Sequence, residues 1–331
     1  KIYGPYAGVS ANTEGNLSKG NPNRPSADVT SSMDATDEAV FTGIINFYQA
    51  GSNLTVDGLY LSGSSYFNLA EGGKYRVGTY VKNNIVNVTS ANLFAMDRGQ
   101  NFNFMFENNR VLNANSIVTM GGMGDITVRN NYFNTSNYAV VVTSVQSGSM
   151  GAYCKIEGNH FGSCNGIFRY DRGQTGYQTV LYSAQILNNY VERNGTNYLV
   201  WNAFYALNTL PGTNVQVTGN TFLNLQNGVA PFNFPYYKNE GNVNMYRHMI
   251  NINENYIDLP AGSNFINSEM NGVLNCAYNY YTNGISASQV TKYTDTQLIL
   301  YPYYSDPEMT TLTGDAKITG VNLSEAVINE E

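Results

Sequence analysis

The sequence predicts an all-β solenoid, and three observations carry that prediction. A six-residue pattern, typified by Ile186–Val191 (ILNNYV), recurs through most of the chain. Apolar and polar residues alternate around it with period two. Charged residues make up only 12% of the 331 residues, while Asn, Thr, Ser, Gly and Tyr abound. A repeat of two to four dozen residues marks a fold that stacks one small unit on the next.

Aligned on its second Asn, the pattern places anchors at Asn84, Asn109, Asn131, Asn159, Asn189, Asn220, Asn255 and Asn279, spaced 22 to 35 residues apart. Three residues before each anchor stands an apolar side chain: Val81, Phe106, Val128, Ile156, Ile186, Val217, Ile252 and Cys276. Two residues after it come Val86, Val111, Phe133, Phe161, Val191, Phe222, Ile257 and Tyr281. Five residues before it lies a third, mostly apolar row beginning at Thr79. Each unit therefore reads as a strand, a bend and a strand, with one face buried. Matching positions stack at the strand spacing of about 4.8 Å. The anchor Asn suits the bend because it tolerates left-handed backbone. Pointed inward, its amide can bond the same amide one unit along and nearby main chain.

On these rows the chain resembles a right-handed parallel β-helix of the pectate-lyase-like superfamily. The resemblance covers residues 79–284 through the N-x-x-[FVI] rows. Ile2–Gly8 (IYGPYAG) and Glu38–Gly43 (EAVFTG) are similar to the "YGPNAG" and "EAVITG" segments of some secreted bacterial members, with Tyr6 in place of Asn and Phe41 in place of Ile. The resemblance implies one solenoid of roughly ten coils rather than the two or three domains that length suggests.

In order, residues 1–53 hold the N-terminal strands, a long polar segment at 12–37 with Pro22 and Pro25, and the first coils. That segment reads as a surface loop or a cap excursion. Residues 54–285 are the coils, the first of them (LTVDGLYL) with Gly58 at the anchor. The largest departures from the repeat fall at 144–153, 169–182, 202–214 and 231–247, and such insertions become loops that tend to carry function. Residues 286–331 lose the pattern and read as an irregular cap, with a short helix at 323–331 (LSEAVINEE) begun by Ser324. A cap is needed because an open end exposes core and strand edges.

A net charge of −7 argues against a nucleic-acid partner, and no apolar run is long enough to span a bilayer. The chain opens on a strand without a leader's charged and apolar regions, so a leader is expected to have been removed or the end trimmed. The low-Lys, Tyr- and Asn-rich composition resembles extracellular or cell-surface proteins. Cys154 and Cys276 fall on inward rows as small hydrophobes. A Cys154–Cys164 bridge is compatible with the reading but not required, and no spacing suggests a metal site.

The superfamily's lyases use a Lys or Arg to take the proton α to a uronate carboxylate, commonly with Ca²⁺. Its polygalacturonase-type hydrolases need paired carboxylates, and this chain has neither an Asp-Asp pair nor Gly-His-Gly. A duplicated tetrapeptide stands out instead: Asp97-Arg98-Gly99-Gln100 and Asp171-Arg172-Gly173-Gln174, 13 and 12 residues after their anchors. Under a lyase reading, Arg169 or Arg172 is the base and Asp171 its partner or a Ca²⁺ ligand. No other cofactor is implied. At the same phase in later units lie Trp201-Asn202 and Phe232-Asn233, then Asn267, with Tyr236 nearby.

Together with Asp97, Arg98 and Tyr170 these residues form a candidate lengthwise strip. Aromatic rings take the CH faces of sugars, while Asn, Asp and Arg take hydroxyls. The favoured expectation is a secreted or surface protein that binds a polysaccharide without cleaving it; the alternatives are a polysaccharide lyase on uronic-acid polymers and a structural or adhesive module. His160 falls in an outward row with Arg110, Tyr132, Tyr190, Thr221, Tyr256 and Tyr280, which reads as a solvated row of mixed large residues.

Overall fold

The computed structural model describes residues 1–319 except 32–33, 47–52, 69–74, 77, 90–91, 97–99, 102, 121–124, 144–150, 172–179, 194, 206–213, 227, 238–247 and 315–317. The chain is all-β, with only two short 3-10 turns among the described residues. Most of its strands lie in two long sheets that pair successive coils, and three small two-stranded sheets hold the rest. In the first sheet each strand before a bend pairs in parallel with the strand before the next bend, from Ile2–Tyr3 through Asn103–Glu107 to Gln297–Ile299. The second sheet carries two strand series from each repeat. They run together in the 12-residue strands Tyr132–Thr143 and His160–Asp171, which joins the series into one sheet. This stacking is consistent with a parallel β-helix.

The predicted rows are in register. Ile156 pairs with Ile186 and Ile186 with Val217, so the three form one continuous pile. All are essentially unexposed, as are Phe133, Phe161 and Phe222. Phe133 stacks on Phe106 at 5.9 Å and on Phe161 at 4.9 Å between ring centroids. Each such buried ring contributes about 1.5–3 kcal/mol from area alone.

The anchors are buried and form an uninterrupted amide ladder. From Asn84 to Asn255, every Nδ2 donates to the Oδ1 of the next anchor at 2.9–3.2 Å. The same Oδ1 accepts the preceding anchor's main-chain N–H, as in Asn159 N to Asn189 Oδ1 at 3.0 Å. The left-handed residue of the bend is not the anchor but the one before it: Asn83, Asn108, Asn130, Asn188, Glu254 and Tyr278 have φ of 54–59°. Gly158 and Gly219 take that place in other coils. Gly58, with φ 74°, likewise holds the pre-anchor place, and the anchor place falls to Leu59. The Leu59 N–H donates to Asn84 Oδ1 at 3.0 Å and ends the ladder.

The polar segment after residue 11 is a strap laid along the first coils. Its Arg24 is fully buried and forked onto Glu38 at 3.0 and 2.9 Å. Arg24 Nη1 also donates to the carbonyls of Val9 and Asn83. From the coils, Arg110 reaches into the strap, donating to the carbonyls of Ala27, Leu17 and Ser18 and pairing with Asp28 at 2.5 Å. Many of the segment's polar side chains are exposed, while Arg24 and the incoming Arg110 are buried and satisfied by carboxylates and main-chain carbonyls.

Beyond residue 286 the strands Val290–Thr291, Gln297–Ile299 and Tyr303–Tyr304 continue the parallel pairing. Leu312–Thr313 and Ile318–Thr319 then pair antiparallel and cover part of that edge. The expected helix at 323–331 lies outside the described residues. Cys154, Cys164 and Cys276 are all free and buried, so no Cys154–Cys164 bridge forms. Burial pushes the Cys164 thiol up to about 12, partly offset by Arg193. No helix among the described residues is long and apolar enough to cross a membrane.

Candidate functional site

The candidate strip sits on the later strand series of the second sheet. Register there places Arg169 beside Trp201, Trp201 beside Asn233, Asn233 beside Asn267, and Asn267 beside Thr291. In Val200–Asn202, Phe232–Phe234 and Ile266–Ser268 the middle residue is partly exposed and its neighbours are buried. Arg169, Trp201, Asn233 and Asn267 therefore face outward in one file, one residue per coil.

Arg169 Cζ lies 4.8 Å from the Trp201 ring centre, a cation–π contact. Tyr198 presents its edge to the same indole, with centroids 5.5 Å apart and planes at 89°. The indole N–H of Trp201 is buried and has no hydrogen-bond partner among the described residues. A guanidinium, an indole and two amides thus line up along the axis. That set can stack on an apolar ring face, donate in a planar fork and exchange hydrogen bonds with hydroxyls.

Other predicted members fall elsewhere. Tyr170 is 4%, Asn202 0% and Phe232 0% exposed, so they belong to the core rather than to a ligand surface. The reason is register. Counting 12 residues from the anchor aligns Phe232 with Trp201, but the sheet pairs Phe232 with Val200. One extra residue in the intervening connection turns an outward position inward. Tyr236 is also buried; its hydroxyl lacks a partner among the described residues, and burial raises its pKa. Asp171 is the last residue of its strand, beside Thr143, two places beyond Arg169. Asp97, Arg98 and Arg172 lie outside the described residues, as do most of the predicted long loops. No sequence signal marks Tyr198, which precedes the strand and follows no period.

The earlier strand series carries the His160 row, and it is not uniformly solvated. Tyr60, Ile85 and Arg110 are buried, under the strap or gripping it. Beyond Arg110 the row emerges and its rings pack on one another at a tilt. Arg110 Cζ stands 4.3 Å over Tyr132, and His160 lies 5.4 Å from Tyr132 and 4.6 Å from Tyr190. Tyr256 and Tyr280 lie 5.0 Å apart with their planes tilted by 44°. Burial between the rings lowers the pKa of His160; Glu192, 3.9 Å away, opposes that and nearby Arg110 adds to it. Among the described residues no three His, Cys, Asp or Glu side chains converge to hold a metal ion.

Comparison with protein-family models, with curated proteins and with solved structures finds no match in any of the three.

Proposed function

We propose that this is an extracellular or cell-surface protein of the right-handed parallel β-helix type, similar to the pectate-lyase-like superfamily, that binds a polysaccharide lengthwise without cleaving it. The observation that supports the reading is the outward file Arg169–Trp201–Asn233–Asn267, with the guanidinium stacked on the indole. Successive binding groups recur at about 4.8 Å, a spacing suited to a linear polymer rather than a compact ligand. Binding is preferred over β-elimination because the neighbours of Arg169 in the file are Val141 and Trp201, not a carboxylate.

The test is a glycan array followed by titration of the hits against Trp201→Ala. Loss of a stacking ring is expected to weaken binding about tenfold or more. An array without a hit, or a Trp201→Ala protein that binds like the parent, refutes the reading. A rise in ultraviolet absorbance from unsaturated product on pectin, alginate or glycosaminoglycans would instead mark a lyase, with Ca²⁺ as its candidate metal.

A further inference from the structure

From Tyr132 to Tyr304 the row after the anchors carries a ring in every coil but one. Tyr190 pairs with Thr221 and Thr221 with Tyr256, so two tyrosines flank a small residue. Where rings are adjacent in this row they pack with tilted planes, their centroids 4.6–5.4 Å apart. Tyr190 and Tyr256 are instead two strand spacings apart, about 9.6 Å. Two van der Waals contacts at about 3.5–4.0 Å each span most of that distance, which leaves room for one ring between the tyrosines and not for two.

The next outward position repeats the arrangement. Glu192 pairs with Leu223, and Asp258 follows Ile257, the partner of Phe222. Each wall of the notch is thus a tyrosine and a carboxylate, Tyr190 with Glu192 and Tyr256 with Asp258, over a floor of Thr221 and Leu223. All six side chains are at least partly exposed. After burial, Glu192 is the cause that raises the pKa of Tyr190; for Tyr256 burial is followed by Tyr280 and Asp258. Each ring therefore lies within the field of its own carboxylate.

Asp258 already accepts from Thr282 Oγ1 at 3.1 Å and from the Asn224 N–H at 3.4 Å, which holds its carboxylate in place. An ionised carboxylate has about four acceptor sites, so capacity remains. Tyrosine faces suit the apolar CH faces of a sugar, carboxylates suit its hydroxyls, and two negative charges repel an anion.

We propose that the notch at Thr221 binds a single pyranose ring without negative charge, clasped between Tyr190 and Tyr256 and hydrogen-bonded by Glu192 and Asp258. This site belongs to the earlier strand series and does not rest on the Arg169–Trp201 file. It also specifies the sugar: a hexose or pentose unit, not a uronate.

The probes are cello-, xylo-, manno- and chito-oligosaccharides, with oligogalacturonate as the anionic counterpart, titrated calorimetrically into the full chain. The decisive variant is Thr221→Tyr, which completes the ring row and fills the notch without touching the core. At least one neutral oligosaccharide is expected to bind, about tenfold or more weaker to Thr221→Tyr. Trp201→Ala is expected to change that affinity by less than about twofold, since distant sites act independently. Should Thr221→Tyr fail to fold, Tyr190→Ala with Tyr256→Ala makes the same test. No binding by any neutral probe, full binding by the filled notch, or a preference for oligogalacturonate overturns the proposal. Binding lost in Trp201→Ala but kept in Thr221→Tyr overturns the notch while supporting the Arg169–Trp201 file.

Discussion

Replacing Asn189 with alanine tests whether the amide ladder holds the coils together. Asn189 Oδ1 accepts from the Asn159 main-chain N–H and from Asn159 Nδ2, both at 3.0 Å. Its Nδ2 donates to the Ile156 carbonyl and to Asn220 Oδ1, both at 2.9 Å. Alanine removes all four bonds. Asn159 Nδ2 keeps the Val128 carbonyl at 3.0 Å, and Asn220 Oδ1 keeps the residue-189 N–H at 2.9 Å. The Asn159 N–H keeps no acceptor. One orphaned buried donor costs about 1–3 kcal/mol, and each of the three further lost bonds about 1 kcal/mol, so the substitution should cost about 4–6 kcal/mol. Urea unfolding of the full chain measures this as a lower midpoint at unchanged slope. Repeats contact only their neighbours, so amide exchange should also accelerate first around Asn159. Gln216→Ala, a partly exposed position one coil on, is the control and should stay within about 0.5 kcal/mol. A cost below about 1 kcal/mol for Asn189→Ala would refute the ladder's structural role.

Three further outcomes follow from burial. Arg24→Ala should cost about 3–5 kcal/mol, because it leaves Glu38 charged and alone in the core, whereas Arg24→Met with Glu38→Leu should recover most of that; urea midpoints that match the small effect of Lys155→Ala, in a half-exposed pair, would contradict it. His248 is 6% exposed, and burial pushes its pKa down to about 4. The unfolded chain therefore binds the proton first, and stability is full above about pH 6.5 and falls as pH drops toward 4, by at most about 3 kcal/mol. His248→Gln should flatten that dependence, and an unchanged slope in the unfolding free energy against pH would rule out His248 as its source. Finally, burial raises all three thiol pKa values, so Cys154, Cys164 and Cys276 should resist a thiol reagent in the native protein and react only on unfolding.

Much of the architecture is legible in the sequence. The rows through Val81, Ile186 and Cys276 were readable because a strand shows its buried face every second residue, and because each coil restarts its count at a ladder Asn. The strap was less legible. Nothing local to residues 12–37 says that Arg110, far along the chain, will reach into it, and its polar composition reads as a solvated loop. The candidate strip was half legible: Arg169, Trp201, Asn233 and Asn267 do share a file, while Tyr170, Asn202 and Phe232 turn inward.

Sequence alone carried the repeat, the anchors and the stacking of strands, since these depend on periods counted within one unit. Tertiary structure decided which residues become outward neighbours in the later strand series. Those strands are reached through connections of unequal length, and each added residue there rotates the following side chain from one face of the sheet to the other. Phase measured from an anchor is reliable up to the first such connection and drifts by a residue or two after it, enough to swap faces. That is why Tyr190, Thr221 and Tyr256, one residue past their anchors, align as written, whereas Trp201 and Phe232 do not.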